Sequence, residues 1–107
     1  MDIRFLYYED CPSHDQALDR LQQVMVEEGV EAIIEIIKVE TEEQAQALRF
    51  VGSPTIWVNG EDIVPTPPDA FYSLTCRAYR LEDGRISPLP SLEMIRHPLQ
   101  QAVTSAE

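Results

Sequence analysis

Two short apolar runs separated by one amphipathic stretch constrain this chain more than any other feature of its sequence. Ile3 to Tyr8 is apolar and aromatic with no breaker, the pattern of a strand buried on both faces. From Pro12 the pattern changes to a helical period. Ala17, Leu18, Leu21, Val24 and Met25 form one apolar stripe, with Asp15, Asp19, Gln22, Gln23 and Glu27 on the wet side. Pro12 suits a first helical turn, where its missing N–H costs nothing, and Gly29 suits a left-handed helix end. Ala32 to Val39 follows, dominated by Ile33, Ile34, Ile36 and Ile37, whose branched side chains favour strand over helix. A strand, a helical crossover and a second strand imply a parallel pair with a right-handed connection.

The rest of the chain extends that unit. Thr41, with Gln44 three residues on, is a capping-box pattern opening a short helix. Ala45, Leu48 and Phe50 give its apolar side, and Gly52 closes it. Thr55 to Val58 reads as a strand, Asn59-Gly60 as a hairpin turn and Asp62 to Val64 as the return. Pro65, Pro67 and Pro68 then forbid regular structure. Cys76 to Leu81 fits either a further strand or an irregular edge, and Asp83-Gly84 a turn. A last helix starts near Ser91, with Leu92, Ile95, Leu99 and Val103 on its apolar side; Pro98 inside it should kink or split it. The expectation is an α/β fold: a mixed four-stranded sheet with strands near 3–8, 32–39, 55–58 and 61–65, flanked by helices on both faces. At 107 residues this is one domain, 1–107, with a core over about 1–65 and a loop and C-terminal extension over about 66–107.

Nineteen acidic residues against eight basic ones give a formal charge of −11. Phosphate backbones and anionic lipid repel such a chain, so neither nucleic acid nor membrane is an expected partner. No apolar stretch approaches a membrane span, and the N-terminus lacks the basic and apolar segments of a signal peptide, which makes the cytoplasm the expected compartment. Two cysteines, Cys11 and Cys76, are too few for a disulfide scaffold. In a reducing cytoplasm a bond between them would be transient.

The chemistry concentrates in Asp10-Cys11-Pro12-Ser13-His14, between the first strand and the first helix. The free N–H groups and positive dipole end of a helix favour thiolate over thiol. Cysteines so placed titrate at about 3.5–7.5 instead of about 8.5, so Cys11 is a candidate nucleophile. The plainer alternative is a small buried residue packing the strand end. His14 lies one helical turn on, where an imidazolium would steady the thiolate or serve as an acid; its alternative is a solvated helix residue. Gly52-Ser53-Pro54-Thr55 precedes a strand, a position that tolerates proline. Cys76 is a candidate resolving thiol, because the hairpin returns the chain towards Cys11; its alternative is a buried cysteine acting as a small hydrophobe. Phe5, Tyr7, Trp57 and the isoleucines read as core.

The element order, the Cys11-Pro12 element and the run Val51-Gly52-Ser53-Pro54-Thr55-Ile56-Trp57-Val58-Asn59-Gly60 resemble the thioredoxin fold. The similarity is greatest to small bacterial thioredoxin-like proteins with a Cys-Pro-x-x site, some of them selenoproteins and some alkylmercury-lyase-like. Cys76-Arg77-Ala78-Tyr79 matches a Cys-Arg-x-Tyr element of that group. The resemblance implies a cis Ser53–Pro54 bond packed against the active cysteine. It also implies a groove at Pro12, Ser53, Pro54 and Thr55 for an extended peptide or small thiol. The chain departs from a Cys-x-x-Cys site at His14, which cannot resolve a mixed disulfide.

Three functions follow as expectations. The first is a thiol–disulfide oxidoreductase with catalytic Cys11, His14 and Cys76 and no cofactor, acting on a disulfide-containing or thiol protein, peptide or small thiol. The second is a soft-metal binder for zinc, copper or mercury through Cys11, His14 and Cys76. The third is a non-catalytic binding module using the Pro54 groove.

Overall fold

The computed structural model describes residues 1–66 and 69–105. Pro67 and Pro68, expected to break regular structure, lie outside the described residues. The elements are β1 (Ile3–Tyr7), α1 (His14–Glu27), β2 (Ile34–Lys38), α2 (Glu42–Ala47), β3 (Thr55–Val58), β4 (Glu61–Asp62), β5 (Tyr79–Arg80), β6 (Ile86–Ser87) and α3 (Leu92–Ser105).

The fold is mixed α/β. β1 to β4 form a four-stranded sheet in the order β2-β1-β3-β4, and β5 and β6 form a separate antiparallel ribbon. β1 runs parallel to β2, with Phe5 opposite Ile36, and antiparallel to β3, with Phe5 opposite Ile56. The α1 crossover therefore produces the parallel pair that the spacing demands. The β3–β4 hairpin turns at Asn59 and Gly60, both at positive φ, as a tight two-residue turn requires.

Alternation along β1 feeds two cores. Ile3 and Phe5 point to one face, where they meet Ala17, Leu21 and Val24 of α1 and Ile95 and Leu99 of α3. Leu6 points to the other, against Val39, Ala45 and Phe50 around α2. Helices thus cover both faces. α3 is tied to α1 at its rim: Arg20 donates to the Pro90 carbonyl at 2.8 Å, and Arg96 pairs with Glu27 and Glu28.

Several elements differ from their sequence-based bounds for identifiable reasons. α1 begins at His14 after Ser13, so Pro12 sits in the turn ahead of the helix. β4 covers only Glu61–Asp62, not 61–65; beyond it the Ile63 N–H still donates to the Ile56 carbonyl at 3.0 Å, and the Asp62 side chain takes the Val64 N–H at 3.0 Å. β2 starts at Ile34, two residues later than its apolar run, and lies at the sheet edge. Ile33 and Ile36 are consequently 92% and 52% exposed rather than core. α3 runs unbroken through Pro98. Cys76 to Leu81 supplies β5 near its end, and among the described residues no helix is long and apolar enough to cross a membrane.

Candidate redox site

Cys11 follows a tight turn off β1 in which its N–H donates to the Tyr8 carbonyl at 3.0 Å. It precedes Ser13, the cap residue of α1, by two positions, and the Ser13 side chain caps nothing. The first intrahelical bond runs from Ala17 N–H to the Ser13 carbonyl at 3.0 Å. The earlier N–H groups therefore end at the Cys11 side of the helix with no side-chain cap.

Cys11 and Cys76 are joined by a disulfide, with Cα atoms 5.7 Å apart. The two halves of the bond differ sharply in access. Cys11 is 2% exposed, whereas Cys76 lies on the surface. Cys11 thus has the burial of the plainer reading and a disulfide partner as well. Cys76 is not the buried small hydrophobe of its alternative.

Cys76 is held by its neighbours as well as by its sulfur. Ser53 and Cys76 form a parallel bridge: Ser53 N–H donates to the Thr75 carbonyl at 2.8 Å, and Arg77 N–H donates to the Ser53 carbonyl at 2.9 Å. The Ser53–Pro54 bond is cis. Ser53, Pro54 and Thr55 are all buried, and the Thr75–Arg77 segment bonds both backbone groups of Ser53.

The anchor of that segment is Arg77, 8% exposed. Its guanidinium donates to both Asp62 carboxylate oxygens, at 3.0 and 2.8 Å, to the Val64 carbonyl at 3.3 Å and to the Thr55 hydroxyl at 3.4 Å. It also lies 4.6 Å from the centre of the Tyr79 ring. The Tyr79 hydroxyl donates to the Pro54 carbonyl, and the Thr55 hydroxyl donates to the Gly52 carbonyl. Burial raises the Asp62 carboxyl above its ordinary range, and the Arg77 guanidinium opposes that rise. Burial likewise pushes the Tyr79 hydroxyl well up, so it stays protonated as a donor.

The structure brings Cys11, Cys76, Ser53, Pro54 and Thr55 into one locus, with Pro12 exposed beside Cys11. The His14 Nδ1 lies 3.2 Å from an Asp15 carboxylate oxygen, and its ring packs on Tyr7 at 4.7 Å. No group of three or more His, Cys, Asp or Glu side chains among the described residues is placed to hold a metal ion, and the disulfide leaves neither sulfur as a thiolate ligand. Sequence reasoning placed Asp62 in the return strand and Arg77 in the Cys-Arg-x-Tyr element, but gave neither side chain a part in the site. The element marks Arg77 but not its partner: the pairing with Asp62 is set by the hairpin and not by spacing along the chain.

Comparison of the chain with family models finds no match, and comparison with curated proteins and with solved structures finds none either.

Proposed function

We propose that the chain is a thioredoxin-fold thiol–disulfide exchange protein whose redox couple is Cys11 and Cys76. The observation that carries this is the disulfide itself, which joins the cysteine ahead of α1 to a surface cysteine seated on Ser53. The β-α-β unit, the following hairpin and the cis-proline before β3 are consistent with that fold. In the reduced form the uncapped end of α1 favours negative charge on the Cys11 sulfur, and its burial opposes it. Oxidation joins Cys11 to Cys76. In the cytoplasm such a bond turns over. The partner is a dithiol or disulfide of a protein, peptide or small molecule. The binding-module reading has less support, because Thr75 and Arg77 already satisfy both backbone groups of Ser53.

Equilibrating the native protein in glutathione redox buffers, quenching with acid and counting thiols tests the proposal. Reversible two-electron interconversion with unchanged circular dichroism is expected. The Cys11 thiol should titrate below about 8.5, read from thiolate absorbance. A disulfide that resists thiols until the chain is denatured would overturn the reading.

A further inference from the structure

We infer that exchange with outside thiols takes place at the Cys76 sulfur, and that Cys11 acts only within the chain, as leaving thiolate and resolving nucleophile. This rests on reading the Cys11–Cys76 pair as a redox couple. It reverses the roles that the sequence suggests, in which Cys11 meets the partner and Cys76 resolves.

The first ground is access. Thiol–disulfide exchange requires an incoming thiolate to reach a sulfur, and which sulfur is attacked depends on which is reachable. Cys76 is exposed, and Cys11 is 2% exposed beneath it. The second ground is that reduction does not remove the cover. Thr75 and Arg77 are bonded to Ser53 on either side of Cys76, and Arg77 is fixed by the partly buried Asp62 carboxylate and the Tyr79 ring. None of these contacts involves sulfur. Breaking the disulfide therefore leaves Cys76 over Cys11 instead of swinging it away.

The steps balance as follows. A thiolate of a dithiol reductant attacks the Cys76 Sγ. A new S–S bond forms there, the Cys11–Cys76 bond breaks, and the electron pair leaves on the Cys11 Sγ. The reductant's second thiol then attacks its own sulfur in the mixed disulfide and releases Cys76 as thiolate. Two reductant thiols become one disulfide, the protein disulfide becomes two thiols, and the two protons pass to Cys11 and Cys76. In the oxidising direction the Cys76 thiolate attacks one sulfur of an outside disulfide, whose S–S bond breaks and whose other half leaves as thiolate. Cys11 then attacks Cys76, expelling the outside thiolate.

The test follows the reduced full chain after addition of limiting glutathione disulfide, with acid quenching and tryptic mapping. Cleavage after Arg4, Arg20, Arg49 and Arg77 places Cys11 and Cys76 in separate peptides. Cys11→Ser and Cys76→Ser chains, checked for native circular dichroism, are followed in parallel. Cys76 in the Cys11→Ser chain should form its mixed disulfide at least about tenfold faster than Cys11 in the Cys76→Ser chain, because access governs the attack. The transient adduct on the unmutated chain should map to Cys76, a measurement that needs no variant to fold. An adduct appearing first on Cys11 while the disulfide still interconverts with glutathione overturns the assignment and leaves the redox couple standing. Native protein that forms no adduct and exchanges no disulfide overturns both.

Discussion

Gly52 and Arg77 show how much of the site depends on single residues. Gly52 has φ of 138°, and a Cβ there would lie 2.8 Å from the Arg77 Cα and 2.9 Å from its nitrogen. Both atoms are backbone, so neither can move aside cheaply. Gly52→Ala should therefore push the Cys76 segment off Ser53, lowering thermal stability and slowing disulfide formation in the reduced protein; scanning calorimetry and a reoxidation time course check this. Arg77→Met tests the buried pair differently. It leaves the Asp62 carboxylate without its cation, a loss of about 3–5 kcal/mol at neutral pH. The sign of the pH dependence follows from Asp62. Its folded pKa lies above the ordinary carboxyl range, so the folded state binds the proton more tightly, and this group's contribution to stability falls as pH rises through that window. Removing Arg77 raises the folded pKa further. The deficit of Arg77→Met relative to the unmutated protein should thus shrink as pH is lowered and Asp62 becomes neutral, as denaturant melts across pH will show.

Elements were legible where a local pattern carried them. Thr41 accepts from the Gln44 N–H at 3.1 Å while the Gln44 side chain takes the Thr41 N–H at 3.2 Å, the capping box that the sequence spells out. Thr41→Ala should cost about 1 kcal/mol, readable from a chemical-denaturation midpoint. The stripe of α1 was equally readable: Ala17, Leu21, Val24 and Met25 are its buried residues. β2 was readable as a strand but not as an edge, because branched side chains report conformation and not burial, and Ile36 is left half-exposed. Pro98 misled in the opposite sense. Ile95 and Leu99, on either side of it, are fully buried in the same core, and that packing carries α3 through a residue that disfavours helix.

Over the whole molecule, what sequence could not reach is what the fold brings together from far apart. Cys11 is marked locally by its place between strand and helix. The seating of Cys76 on Ser53, and of Arg77 on Asp62, depends on the β3–β4 hairpin and on the return of the chain after it. The disulfide spans a sequence separation of 65 residues. Closing so long a loop restricts the unfolded chain, and the chain-entropy relation gives about 4 kcal/mol of stabilisation. The reduced protein should melt correspondingly earlier than the oxidised one in matched denaturant titrations. By linkage, the folded chain holds its disulfide against reduction more firmly than the unfolded chain does.

That same loop gives the molecule two lengths. Between Cys11 and Cys76 the disulfide encloses α1, β2, α2, β3 and β4, while β1, β5, β6 and α3 lie outside it. A force applied at the two termini passes through the S–S bond, and the enclosed segment bears no load even after its secondary structure is lost. Cutting the bond releases that separation of 65 positions at once, adding about 220 Å to the contour of the stretched chain. A single molecule held between two anchors therefore reports its redox state as a step in extension.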